Sequence, residues 1–133
     1  MARPVFEHRI VAPPEAIDEL GHVNNAVWVR WIQDVATAHW LAVADPAHVE
    51  AWLWVVIRHE IDYLRPLKEG GRVTARTWVA DAPRGARFDR LMEFVGEDGR
   101  AYVRARTTWA IIDRASGRPA RVRDEVAAPF IGG

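Results

Sequence analysis

The chain has 133 residues and a mass of 15.1 kDa, half of it apolar, which suits one domain with a buried core and leaves little room for a second. Its 18 Lys and Arg balance 18 Asp and Glu, so the composition does not mark a globally basic nucleic-acid binder or an acidic tail. Cysteine is absent, which excludes disulfides, thiolate nucleophiles and Cys-held zinc or iron–sulfur sites.

In chain order, Val5–Val11 reads as a first strand ended by Pro13 and Pro14. An acidic segment then leads to Gly21. From Asn24 the pattern turns helical, with Val27, Trp28, Trp31, Ile32, Val35, Ala36 and His39 at i, i+3, i+4 spacing. Asn24 suits the N-cap and Asp45-Pro46 closes the segment, with His39 placed to favour the helix C-terminus. After about Trp52 the period becomes two. Leu53, Val55, Ile57, His59, Ile61 and Tyr63 then share one face, and Arg58, Glu60 and Asp62 the other. Further strands are expected at Val73–Ala80, Arg87–Val95 and Ala101–Asp113, the last with Val103, Ala105, Thr107, Trp109 and Ile111 on one face. The expected fold is α+β: one long apolar helix with an antiparallel meander of four strands curled around it, in a single domain over residues 1–133. Exposed sheet edges would favour pairing with another subunit.

No apolar leader follows the charged start at Arg3, Glu7, His8 and Arg9, and no apolar run reaches 18 residues. A cytoplasmic protein without membrane or nucleic-acid partners is expected. The neutrality is uneven, because residues 1–50 hold three Arg against seven acids, a net −4, and the remainder is +4.

The segment Asp18-Glu19-Leu20-Gly21-His22-Val23-Asn24-Asn25 puts a carboxylate, an imidazole and two amides just before a helix N-terminus. Free main-chain N–H groups there can stabilise an oxyanion, and a nearby carboxylate can attack a carbonyl or activate water against it. That is what acyl transfer needs; a capped helix with a polar lead-in loop is the structural alternative.

The string DELGHVNNAVWVRWIQ, with EIDYLRP, RGARF and RARTTWAIID further on, resembles the hotdog-fold acyl-CoA thioesterases of the 4-hydroxybenzoyl-CoA thioesterase type, over roughly residues 5 to 126. The resemblance implies a hotdog fold and hydrolysis of a small, aromatic or medium-chain acyl-CoA to free acid and CoA, in a dimer or tetramer. It implies no cofactor besides the CoA of the substrate. Asp18 becomes the catalytic carboxylate, as nucleophile or as general base, and the backbone N–H near Asn25 the oxyanion donor. Gly21 makes the turn between them. His22 and Asn24 are similar to the H-V-N-N of plant acyl-carrier-protein thioesterases, in which an Asn two residues after the acid completes the site. Leu20 stands there in this chain, which shifts weight to Asp18. His22 then either orients groups in the site or fixes the loop.

Other candidates carry two readings each. His59, on the apolar face of its strand, is a core or tunnel-lining histidine or a substrate contact. Trp28 and the six other tryptophans are core residues or line an acyl tunnel that they would shorten. Arg84, Arg87 and Arg90 are candidates for the CoA phosphates, though alternation keeps them from acting together, or they belong to a solvated strand face. No His and carboxylate spacing suggests a metal site. An acyl-carrier-protein thioesterase and a non-catalytic acyl-thioester-binding domain are the alternatives; an intact Asp18 speaks against the second.

Overall fold

The computed structural model describes residues 4–132; Arg3, one of the N-terminal charges noted above, lies outside them. The elements are β1 (Phe6–Val11), a 3-10 turn (Pro14–Ala16), α1 (Asn25–Val43), α2 (Pro46–Ala51), β2 (Trp52–Tyr63), β3 (Arg72–Val79), β4 (Arg87–Gly96), β5 (Ala101–Asp113) and α3 (Asp124–Ile131). All five strands form one antiparallel sheet in the order β1-β3-β4-β5-β2. With α1 enclosed by that sheet, this is the α+β hotdog arrangement expected from the sequence. The expected four-strand meander is corrected, because β2 pairs with β5 and not with β3. Only β3, β4 and β5 follow one another across short turns, and β1 and β2, which flank α1 in sequence, end at opposite edges.

α1 starts where its cap says it should. Asn24 is extended (φ −63°, ψ 141°) and its side-chain oxygen accepts from the Ala26 N–H at 2.8 Å. The buried residues Trp28, Ile32, Val35, Ala36 and His39 form the stripe expected from the periodicity. The first four pack with Ala75, Met92, Phe94, Val103 and Ala105 of the sheet to form the main core.

Besides the short 3-10 turn, two helices were not anticipated. Asp45-Pro46 ends α1 but also opens α2, with Asp45 accepting from Ala47 N–H at 2.9 Å and Pro46 at the first helical position. α3 buries Val126, Ala127 and Phe130 against Val79, Phe88 and Ile111, a second apolar cluster beyond the far end of α1. Its interior proline, Pro129, hides the helix from propensity reasoning.

The inward face of β2 is also corrected. The register slips between Val56 and Arg58, so Ile57 is the extra residue of a bulge and the alternation inverts there. Trp52, Trp54 and Val56 are half-buried on one side of it and His59 and Ile61 on the other. Leu53, Val55 and Ile57, expected on the same apolar face as His59 and Ile61, are 40%, 43% and 48% exposed on an edge strand.

Candidate active site

The segment before α1 is a small antiparallel ladder. Asn24 N–H donates to Ala16 O at 2.9 Å, Ile17 bridges Val23, and Asp18 N–H donates to His22 O at 2.8 Å. Gly21 closes the turn with φ +80°. A Cβ there would meet nothing within 4 Å, so conformation and not space calls for glycine.

Within this turn Asp18 is half-buried, and its Oδ1 accepts from Leu20 N–H at 2.9 Å and His22 N–H at 3.4 Å. Among the described residues no hydrogen bond reaches its Oδ2. One carboxylate oxygen is thus used to hold the loop, and the other is open. Asp18 stands two residues along the ladder from the Ala16–Asn24 rung, roughly 7 Å at strand spacing.

On the other side is the helix N-terminus. Asn24 O accepts from Val27 and Trp28 N–H, and the Asn24 side chain takes Ala26 N–H. That leaves the Asn25 N–H, which has no acceptor among the described residues and sits at the positive end of a 19-residue helix with Asn25 exposed. The structure therefore brings together Asp18, Gly21, His22, Asn24 and Asn25. His22 takes part through its main chain; its ring makes no hydrogen bond among the described residues.

Sequence reasoning missed one member. Tyr63, at the end of β2, donates its hydroxyl to Asn25 O at 3.3 Å and so ties the edge strand to the first residue of α1. A tyrosine ending an alternating strand was the available signal. It carries no chemical pattern of its own.

The other candidates lie elsewhere. Trp28 is 2% exposed and packs edge-on against Trp31 and Phe94, inside the core. His59 is four residues before Tyr63, about 13 Å along the strand. Its Nδ1 meets Thr107 Oγ1 at 2.9 Å, its Nε2 is buried without a partner, and burial pushes its pKa down. Arg84, in the loop before β4, and Arg87, the first residue of β4, are exposed. Arg84 pairs with Asp89 at 3.1 Å, beside Arg106 at 2.8 Å and Thr108 at 2.8 Å. Burial pushes the Asp89 carboxyl up, but the Thr108 and Arg106 hydrogen bonds and the neighbouring guanidinium charges outweigh it and leave the pKa lowered. Arg87 stands opposite Ala110 of β5 and Tyr63 opposite Val103, so about 23 Å of strand separates the arginine loop from the Asp18 end of its own chain.

Arg90 and His39 are corrected. Arg90 is only 8% exposed on the inner face of β4, out of reach of a phosphate at the surface. His39 does not serve the helix C-terminus. It is 3% exposed, its Nδ1 lies 2.8 Å from Arg90 Nη1, and its ring stacks on Phe6. Burial, with the Arg90 charge, lowers its pKa to about 4, so the ring is neutral and Nδ1 accepts.

Among the described residues no group of three or more His, Cys, Asp or Glu could hold a metal ion, and no helix is long and apolar enough to cross a membrane.

A family profile described as the thioesterase-like superfamily matches residues 12–130. No curated protein matches the chain. Among solved structures, a hypothetical protein of Staphylococcus aureus in complex with CoA is similar with TM-score 0.85 and 17% identity, covering 97% of this chain and 83% of that one. A thioesterase from Thermus thermophilus complexed with coenzyme A and zinc is similar with TM-score 0.82 and 22% identity, over 97% of this chain and 98% of that one. A 1,4-dihydroxy-2-naphthoyl-CoA thioesterase from Synechocystis is similar with TM-score 0.79 and 16% identity, over 96% of both chains.

Proposed function

As a member of the thioesterase-like superfamily, to which this chain belongs, the protein is a thioester hydrolase, and we propose that it splits an acyl-CoA into free acid and CoA at the Asp18 turn. One observation carries the placement: an open carboxylate oxygen on Asp18 and an unpartnered N–H on Asn25, held by one short ladder at the positive end of α1. The thioester oxygen accepts from Asn25 N–H, and Asp18 acts on the carbonyl carbon from the other side. As a base it takes a proton from water, whose oxygen adds to the carbon. Collapse of the tetrahedral intermediate breaks the C–S bond, and the thiolate leaves with that proton. As a nucleophile Asp18 adds directly, the C–S bond breaks and the thiolate leaves, giving a mixed anhydride; water then opens it, releasing the free acid and the Asp18 carboxylate while a proton from that water goes to the thiolate. The residue composition of the loop, with Leu20 where an assisting amide would stand, leaves the carboxylate as the chemical group and His22 as an orienting one.

The CoA carrier is the reading supported by two similar structures holding coenzyme A. The 4-hydroxybenzoyl-CoA type of the family is the subgroup proposed, on the D-x-x-G-H-V-N-N string of residues 18–25. Small or aromatic acyl groups suit a helix whose flanking indoles, Trp28 and Trp31, fill the space beside its first turns. No metal or prosthetic group enters these steps.

We further propose that the working unit is at least a dimer. The β2 edge carries no strand beyond it among the described residues and exposes Leu53, Val55 and Ile57, and Leu20 and Leu64 beside the Asp18 turn are 79% and 47% exposed. Arg84 and Arg87 can then reach CoA phosphates only at a partner's site, since they stand at the opposite end of the sheet from their own Asp18.

The test is free-thiol release over a panel of short, branched, aromatic and long acyl-CoAs, with acyl-carrier-protein thioesters in parallel. Turnover of a small or aromatic acyl-CoA is expected. A rate maximum at palmitoyl-CoA contradicts the acyl assignment, exclusive use of the carrier-protein thioesters contradicts the CoA assignment, and binding without release points to a non-catalytic domain.

A further inference from the structure

The polar group hardest to account for in the interior is Arg90. Its guanidinium is buried, and its partners are neutral: His39 Nδ1 at 2.8 Å and Thr77 Oγ1 at 3.0 Å. No carboxylate among the described residues pairs with it. Asp89, its chain neighbour, points to the other face and is occupied by Arg84, Arg106 and Thr108. A charge in this position costs free energy unless an anion meets it, and burial has drawn its pKa down to about 10.

Arg90 lines a cavity of about 260 Å³ between the second half of α1, β2, β4 and α3. Its walls are largely aromatic, with Trp40, Trp54, Phe88, Trp109 and Phe130, and Asp89 and Arg114 also belong to the lining. The indole Nε1 of Trp109 is buried and has no acceptor. Phe88 stands opposite Trp109 and Arg90 opposite Thr107, so Arg90 and Trp109 are diagonal neighbours on the inner face of adjacent strands. A buried guanidinium without a counter-ion and a tryptophan whose indole N–H has no acceptor thus line one largely apolar cavity.

We propose that this cavity is a second binding site, for a small aromatic carboxylate whose oxygens accept from Arg90 and Trp109 while its ring lies among Trp40, Trp54, Phe88 and Phe130. A cavity of ~150 Å³ suffices for benzene, so this one takes a single ring with a carboxylate. Its helical wall at Ala36, Thr37, Trp40 and Leu41 begins about 17 Å along the axis from the Asn25 end of α1, at 1.5 Å per residue. The site is therefore distinct from the Asp18 turn of the same chain and does not depend on the hydrolysis proposed there.

The experiment is calorimetric titration of the full chain with benzoate, and with benzyl alcohol as the uncharged control, at neutral pH. Three variants accompany the parent: Arg90→Met, which keeps an unbranched apolar stem and removes the charge, Trp109→Phe, which keeps a ring and removes the N–H, and Asp18→Asn. Expected are saturable benzoate binding in the parent and in Asp18→Asn with equal affinity, at least tenfold weaker binding in Arg90→Met, several-fold weaker in Trp109→Phe, and no measurable binding of benzyl alcohol. Benzoate binding that survives Arg90→Met unchanged, or no binding at millimolar benzoate, overturns the proposal. So does purely competitive inhibition of thioester hydrolysis by benzoate, which would move the carboxylate to the acyl end of the hydrolytic site.

Discussion

Tyr63 donates its hydroxyl across 3.3 Å to the main-chain oxygen of Asn25, so the last residue of the edge strand holds the first residue of the central helix. The residue whose N–H is free to meet an oxyanion is thereby fixed through its own carbonyl. Tyr63→Phe removes that bond and leaves the ring. Its expected cost is below about 1 kcal/mol, since the bond is exposed, together with a several-fold fall in kcat and little change in KM. Chemical denaturation and steady-state kinetics check both; an unchanged kcat would mean that the contact positions nothing.

Asn24 has a separate task at the same end, capping Ala26 N–H. Asn24→Ala is expected to cost about 1 kcal/mol, and Asn24→Asp or Asn24→Ser much less. Urea midpoints across the three variants test the capping role, because an equal loss in all of them would assign the cost to something other than the cap.

The enclosed aromatic core carries the fold. Phe94 is fully buried and meets Trp28 edge-on at 5.1 Å. Phe94→Ala is expected to destabilise by about 3–5 kcal/mol, a large part of a domain's usual margin, read as a fall in the thermal midpoint.

His39 predicts an acid limb to stability. The ring's ordinary value is 6.5 and in the fold it is about 4, so between those pH values the unfolded chain binds the extra proton. Stability is thus undiminished by this group above about pH 6.5 and declines toward pH 4, by on the order of 1 kcal/mol per unit. His39→Gln keeps an acceptor for Arg90 and removes the titration. The difference in unfolding free energy between parent and variant should narrow or reverse as pH falls through that window, while carboxylates, shared by both, cancel. A difference independent of pH contradicts the buried neutral imidazole.

The exposed apolar residues of β2 predict self-association. Val55→Lys places a charge on that edge strand, and sedimentation should show the parent as a dimer or larger and the variant shifted toward monomer with loss of hydrolysis. A parent that sediments as a fully active monomer contradicts the shared site.

Much of this was legible from the residues alone. The helix and its cap follow from Asn24 and the spacing from Val27 to His39, and the last strand from the alternation of Val103 to Ile111. The inward face of β2 was not legible, because a single bulge at Ile57 inverts an alternation that runs apolar on both sides of it. α3 was masked by Pro129. The candidate segment was visible because its chemistry is local: acid, glycine and cap lie within eight consecutive residues. Tyr63, Arg90 and His39 were not, since each acts through a partner 38 or 51 positions away that only the fold brings near.

The central claim is that the Asp18 carboxylate performs the chemistry. Asp18→Asn preserves an oxygen for Leu20 and His22 N–H, so the turn should fold, and it removes the negative charge. With the best acyl-CoA of the panel, kcat/KM is expected to fall by about 10²–10⁴-fold with the thermal midpoint little changed. A variant that releases CoA as fast as the parent would contradict the account.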